Sequence, residues 1–137
     1  MARPPLADTL GLEPHPEGGW YRRTWASPVS LTLPDGRVRP TATLIYFLLP
    51  AGESSAWHRV SSDETWLAHR GSVTLEYGGT AAAPATERQA TLDAATPQLL
   101  VPSGTWQRTV PGAADALVSC LVSPGFDFAD FELAGAP

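Results

Sequence analysis

The sequence predicts an all-β domain, a sandwich or barrel of short strands with one short N-terminal helix. Fourteen prolines and twelve glycines divide the 137 residues into short segments. So many helix-breaking residues argue against a helical bundle. The segments between them are rich in β-branched and apolar residues, whereas helical periodicity is nearly absent. A chain of 137 residues is typical of one domain, so we expect residues 1–137 to share a single core.

The turn signals set the expected order of the elements. A short helix is expected around residues 6–12, ending near Gly11 and Pro14. Residues 80–95 are rich in Ala, Thr and Pro and are expected to form a surface excursion, and a turn is expected within residues 129–134. Strands are expected at residues 41–49, 57–60, 65–69, 72–77, 98–101, 106–110 and 117–122.

Charge and composition narrow the possible partners and the compartment. A net charge of −5, with nine Arg and no Lys, argues against a nucleic-acid partner because no basic stripe is present. The longest apolar run, residues 44–49, is far too short for a membrane span, and no signal-peptide pattern opens the chain. We therefore expect a cytoplasmic protein. Cys120 is the lone cysteine and is expected to be a buried structural thiol.

Strand alternation places several polar side chains on an inward face. If His58 faces the interior, Val60 does so too, while Arg59 faces outward. On the next strand Glu64 and Trp66 share one face. Polar groups that face a lumen among aromatic walls are typical of a small-ligand cavity.

The spacing of five residues carries a family resemblance. Gly52, His58, Glu64 and Gly71 match the first cupin motif at every spacing, and Val60 stands where the motif has its second histidine. The segment therefore resembles a cupin motif that lacks one of its usual metal ligands.

The second cupin motif is matched in the same incomplete way. Pro102 and Gly104 match it, Gln107 stands at its histidine, and its leading glycine falls on Thr96. The chain as a whole, over residues 10–134, is similar to the cupin-five family, compact cupins long filed as a domain of unknown function. The resemblance implies a double-stranded β-helix (a jelly-roll barrel), a ligand cavity and a homodimer, but no known reaction. The matching segments are residues 15–24, 57–60, 62–64, 100–102, 104–107 and 123–134.

The resemblance also implies a position for a metal site. A cupin site ordinarily holds Fe, Mn, Zn or Ni with three histidines and one glutamate, and here only His58 and Glu64 remain, with Gln107 as a weak third ligand. His69 is expected on the outer face by its strand parity. We therefore expect either no cofactor or a weakly held divalent metal.

Acid–base chemistry without a metal is the alternative. Glu64 could orient His58 and raise its basicity. Metal-free sugar-nucleotide epimerases of the cupin superfamily use a histidine base and a tyrosine acid, and by that analogy His58 is the candidate base and Tyr46 the candidate acid. Trp66 and Gln107 are the candidate ligand-binding side chains inside the barrel.

Two further segments have both structural and functional interpretations. Gly18 and Gly19 permit a tight turn, after which the strand is expected to cross to a partner subunit. Alternatively, Arg22 or Arg23 pairs an anionic substrate. Residues 126–131 are expected to close one barrel mouth, with Asp127 capping or accepting backbone hydrogen bonds.

These observations favour a protein that binds a small polar or anionic metabolite around His58 and Glu64. The first alternative is a metal-free epimerase or isomerase with His58 as base, acting on a sugar nucleotide or another small polar metabolite. The second is a metal-dependent cupin enzyme with a reduced ligand set. A cyclisation or dehydration in an apolar pocket is a further possibility.

Overall fold

The computed structural model describes residues 3–135, which form two antiparallel sheets that enclose a core. The first strands are β1 (Glu13–Pro14), β2 (Trp20–Ala26), β3 (Ser30–Thr32), β4 (Val38–Pro40), β5 (Thr43–Leu49) and β6 (His58–Val60). The others are β7 (Asp63–Arg70), β8 (Val73–Tyr77), β9 (Arg88–Leu92), β10 (Gln98–Val101), β11 (Gln107–Val110), β12 (Ala116–Ser123) and β13 (Phe131–Leu133).

The strand order is that of a double-stranded β-helix, which confirms the expected fold class. One sheet has the order β1-β2-β5-β12-β7-β10, and the other has the order β13-β6-β11-β8-β9. Strands β3 and β4 form a separate two-stranded hairpin. Within residues 3–135, no helix is long and apolar enough to cross a membrane.

The predicted N-terminal helix is present and ends where expected. Helix α1 spans Pro5–Leu10, and Gly11 ends it in the left-handed region with φ 67°. The helix packs on the outer side of the six-stranded sheet. It contributes to a small core of Ala7, Leu12, Trp20, Leu48 and Leu117.

The main core lies between the two sheets. Alternation along β7 is as predicted, because Glu64 and Trp66 are buried while Asp63 and His69 are exposed. Cys120 is 2% exposed, so the expectation of a buried thiol is confirmed. Inward-facing side chains from both sheets therefore fill most of the barrel.

The prediction that residues 80–95 form a surface excursion was wrong in part. Residues 88–92 form β9, which pairs with β8 so that Leu92 lies opposite Val73 and is fully buried. The Ala- and Thr-rich composition hid this strand, since its alternation depends on the single large apolar residue Leu92. Only the rest of residues 80–95 is turn and loop.

The N-terminal glycines hold the loop that precedes β2. Gly18 has φ 108° and Gly19 has φ 76°, conformations that favour glycine. Ala56 donates a backbone hydrogen bond to the carbonyl of Glu17 at 2.6 Å, which ties this loop to the segment before β6. Strand β2 then pairs with β1 and β5 of its own sheet.

Candidate functional site

A cavity of about 430 Å³ lies at one end of the barrel, between the two sheets. Its side walls include the apolar residues Ile45 of β5, Val60 of β6 and Val122 of β12, together with Thr43 of β5. The remaining lining consists of aromatic and ionisable side chains from the N-terminal loop, β2, β6, β7 and residues 126–131. The cavity therefore has an apolar body with a small number of polar groups, as small-molecule sites usually do.

His58 donates a hydrogen bond from one ring nitrogen, which leaves the other nitrogen as an acceptor. Its Nδ1 lies 2.7 Å from the carbonyl oxygen of Ala56, which can only accept, so Nδ1 carries the proton. Burial lowers the pKa of His58 to about 4, so the ring is neutral near pH 7. Its Nε2 therefore presents a lone pair.

Glu17 lies against this lone pair. Its Oε2 is 3.1 Å from Nε2 of His58, and its side chain is 9% exposed. The contact lacks hydrogen-bond geometry, which leaves Oε2 buried and without a hydrogen-bond partner among residues 3–135. Burial, and then the neighbouring Glu64 carboxylate, raise the pKa of Glu17 well above its ordinary value. Burial therefore favours the neutral form of Glu17.

His15 supports Glu17 from the same loop. The backbone N–H of Glu17 donates to Nδ1 of His15 at 3.1 Å, and Oε1 of Glu17 is 3.3 Å from the same nitrogen. Burial, and then the nearby His58, lower the pKa of His15 to about 4. A neutral His15 that accepts at Nδ1 carries its proton on Nε2.

Glu64 is oriented by a buried chain of hydrogen bonds. Trp66 donates from Nε1 to Oε1 of Gln107 at 2.9 Å, and Gln107 donates from Nε2 to Oε1 of Glu64 at 2.7 Å. Burial raises the pKa of Glu64. Gln107 thus has a fixed orientation, because Trp66 can only donate.

The mouth of the cavity is covered by residues 126–131. Arg23 donates from Nη2 to the carbonyl of Phe126 at 2.6 Å. Asp127 accepts from the backbone N–H of Ala129 at 2.8 Å and caps a 3₁₀ turn at Phe128–Asp130, so the expected capping role is confirmed. Asp130 then binds the hairpin arginines Arg37 and Arg39 at 2.9 and 2.8 Å.

Residues 5–134 match the family Cupin_5, described as Cupin superfamily (DUF985). The chain belongs to this family. Similar solved structures include a hypothetical protein from Leishmania major, 32% identical over 92% of this chain and 83% of that chain, with a TM-score of 0.78. A protein from Shewanella oneidensis is 39% identical over 93% of this chain and 81% of that chain, with a TM-score of 0.76.

More distant matches support the fold alone. A cupin 2 conserved barrel domain protein from Rhodopseudomonas palustris is 17% identical over 88% of this chain and 69% of that chain, with a TM-score of 0.62. No curated protein matches this cupin.

The structure brings three of the predicted site residues of this cupin to the cavity. His58, Glu64 and Arg23 all line it. Gln107 and Trp66 lie behind Glu64, where they are buried and hydrogen-bonded to each other. They therefore position Glu64 and do not line the cavity.

Two predicted site residues lie on the opposite face of the six-stranded sheet. Tyr46 packs against the small core under α1, and the guanidinium of Arg22 lies 6.0 Å from its ring centroid. Arg22 donates to the carbonyl of Leu10 at 2.9 Å. Neither side chain reaches the cavity, because alternation along β5 and β2 turns both outward. The tyrosine that lines the cavity is Tyr21.

Sequence reasoning missed His15, Glu17 and Tyr21. All three lie in the N-terminal segment that carries part of the family resemblance, but a loop has no side-chain alternation from which to predict direction. Alternation along β2 does place Tyr21 on the same face as Arg23, which was the available signal. The backbone bond from Ala56 to Glu17 ties this loop to the segment that precedes His58.

The donor set does not fit the resident metal that the superfamily implies. Within residues 3–135, no group of three or more His, Cys, Asp or Glu side chains is arranged to hold a metal ion. The side-chain oxygen of Gln107 accepts from Trp66, and one oxygen of Glu64 accepts from Gln107. The Nε2 of His58 faces Glu17.

Proposed function

We propose that this cupin binds a small polar molecule in the barrel cavity, with the polar end of the ligand against Glu17, His58 and Glu64. One observation carries the proposal: Oε2 of Glu17 is buried at the cavity and has no hydrogen-bond partner within residues 3–135. A buried polar atom without a partner costs about 1–3 kcal/mol. A ligand that donates a hydrogen bond there would remove this cost.

The cavity size supports the same proposal. A volume of about 430 Å³ is within the range of sites for metabolites and cofactors. Its apolar walls can bury the body of a ligand, while Arg23 and Asp127 at the mouth can contact an outer polar group. We also propose that the protein is a cytoplasmic homodimer. Light scattering on the purified protein would test whether it is a dimer.

Acid–base chemistry is a second candidate function, favoured by the contact between Glu17 and His58. One proton can pass between Oε2 of Glu17 and Nε2 of His58, which are 3.1 Å apart. His58 would act as the base. Glu17 would act as the acid in place of Tyr46, whose side chain does not reach the cavity. Proton removal and return on one bound metabolite is the chemistry of an isomerase or epimerase.

A calorimetric screen tests the binding proposal. The probes are UDP-glucose, dTDP-glucose, small hydroxy acids, small amines and neutral polyols, each titrated into wild-type protein. We expect at least one class to bind, and we expect His58→Gln and Glu64→Gln to weaken that binding. His69→Gln is the matched control, since His69 contacts Ser119 on the outer face. Binding that survives both cavity variants would contradict the proposal.

Solvent isotope exchange tests the second candidate. A probe that binds is incubated with the protein in D₂O and followed by proton NMR. Loss of a carbon-bound proton signal with wild type, but not with Glu17→Gln or His58→Gln, is the expected result for an isomerase. A tightly bound probe that exchanges no carbon-bound proton would favour a binding protein without this chemistry.

A further inference from the structure

The inner end of the cavity presents hydrogen-bond acceptors. Oε2 of Glu17 is buried and has no hydrogen-bond partner within residues 3–135. Nε2 of His58 carries a lone pair, because the ring proton is on Nδ1, which donates to the carbonyl of Ala56. Glu64 adds a second carboxylate at the same end. A ligand group that fits this end must donate hydrogen bonds.

Aromatic rings form the wall beside these acceptors. Tyr21, Phe126, Phe128 and Phe131 all line the cavity. The ring centroids of Phe126 and Phe128 are 4.8 Å apart, those of Phe128 and Phe131 are 5.8 Å apart, and those of Tyr21 and Phe128 are 6.5 Å apart. Ring faces carry partial negative charge and attract cations, most strongly where water is excluded.

Acidic side chains outnumber the arginine around the cavity. Three carboxyl side chains line it, those of Glu17, Glu64 and Asp127, against the single guanidinium of Arg23. Arg23 is exposed at the mouth and is already bonded to the carbonyl of Phe126. An anionic group at the inner end would therefore meet two carboxyl groups and no cation.

We propose that the ligand carries a protonated primary or secondary amine, which binds at the inner end against Glu17, His58 and Glu64 beside the aromatic wall. This inference rests on the proposed binding function and names the chemical class of its ligand. An ammonium group supplies both the N–H donors that the unpartnered oxygen lacks and the positive charge that the aromatic ring faces attract. A neutral alcohol supplies one donor and no charge, and a quaternary ammonium supplies charge and no donor.

Three probes of one shape but different charge test the inference. Benzylammonium, benzyl alcohol and benzoate are titrated separately into wild-type protein and followed by calorimetry at near-neutral pH. We expect benzylammonium to bind about tenfold or more tightly than benzyl alcohol, as for one charge-assisted hydrogen bond, and benzoate to bind most weakly. Benzyltrimethylammonium, which keeps the charge but has no N–H, is expected to bind less tightly than benzylammonium.

Isosteric variants then locate the site. Glu17→Gln and Glu64→Gln are expected to remove the preference for benzylammonium over benzyl alcohol. Glu87→Gln is the matched control, because Glu87 is exposed and lies in the loop before β9. The comparison of the probes on wild-type protein needs no variant, so it decides the question even if a variant fails to fold.

The possible outcomes separate this inference from the proposed function. Tighter binding of benzyl alcohol or benzoate, lost in His58→Gln, would overturn the amine class and leave the cavity as a binding site. A benzylammonium preference unchanged in both glutamate variants would also overturn the inference. Failure of all four probes would reject the amine class, while the wider screen above would still decide whether the cavity binds anything.

Discussion

Glu17 and His58 face each other across the inner end of the barrel, with Oε2 of the first 3.1 Å from Nε2 of the second. One residue comes from a loop and the other from β6. Burial acts on both in the direction of a neutral pair, because it raises the pKa of the acid and lowers the pKa of the base. The two groups therefore form the polar inner end of the cavity, where a ligand would contact both.

The hydrogen-bond chain behind Glu64 leads to a stability prediction. Gln107→Leu leaves both the N–H of Trp66 and one oxygen of Glu64 without a partner in a buried environment. We expect the free energy of unfolding to fall by about 3 kcal/mol, measured by urea denaturation. Gln98→Leu is the matched control because Gln98 is exposed, and its effect should be small. Equal stability of Gln107→Leu and wild type would show that the chain contributes nothing.

The buried histidine leads to a prediction about pH. His58 has a pKa near 6.5 in the unfolded chain and about 4 in the fold, so the unfolded chain binds more protons between these values. The contribution of His58 to stability is therefore lost as pH falls from about 6.5 to about 4, by roughly 3 kcal/mol. Urea denaturation across this range should show a shallower loss of stability for His58→Gln than for wild type.

The carboxyl groups of Glu17 and Glu64 oppose this trend in wild type, since their raised pKa values favour the fold as pH falls. The informative quantity is the difference between wild type and His58→Gln at each pH. A difference that does not change with pH would contradict a lowered pKa of His58.

The departure from the cupin motif at Val60 leads to a metal-binding prediction. Val60 lines the cavity two residues from His58, on the same face of β6. Val60→His would place a second imidazole beside His58 and Glu64, and we expect Zn²⁺ or Ni²⁺ affinity to rise about tenfold or more, equivalent to roughly 1.4 kcal/mol. Arg59→His is the control, because it adds a histidine to the outer face of the same strand. Calorimetry with metal salts measures the change, and equal gains in both variants would count against a site in the barrel.

The cover over the cavity mouth leads to a prediction about local stability. Asp130 accepts from both Nε and Nη2 of Arg39, and its side chain is 6% exposed. Asp130→Asn should weaken these charge-assisted bonds at a cost of about 1–3 kcal/mol and speed amide hydrogen exchange in residues 126–133. Asp35→Asn removes the charge of an exposed pair with Arg37, while its side-chain oxygen can still accept from the backbone N–H of Arg37, and it is the matched control. Unchanged exchange in Asp130→Asn would show that this contact does not hold the cover in place.

Much of the architecture was predictable from the residues. Proline and glycine marked the ends of the strands, Gly11 marked the end of α1, and alternation correctly oriented His58, Glu64 and Trp66. Residues 88–92 were missed because Ala and Thr give a weak alternation, and β9 depends on pairing with β8 for its stability. Tyr46 was misplaced because its strand is apolar on both faces, so the sequence does not show which face meets the cavity.

The sequence by itself determined the family and the barrel, through the spacing of the motif residues, and it placed Glu64 and Trp66 on one face of their strand, because side chains alternate with a two-residue period. Only the tertiary structure decided that Glu17 and His15 join them, that Tyr21 lines the cavity in place of Tyr46, and that Gln107 binds Trp66. The physical reason is that a loop has no periodicity, and its position is set by contacts with residues that are distant in the chain.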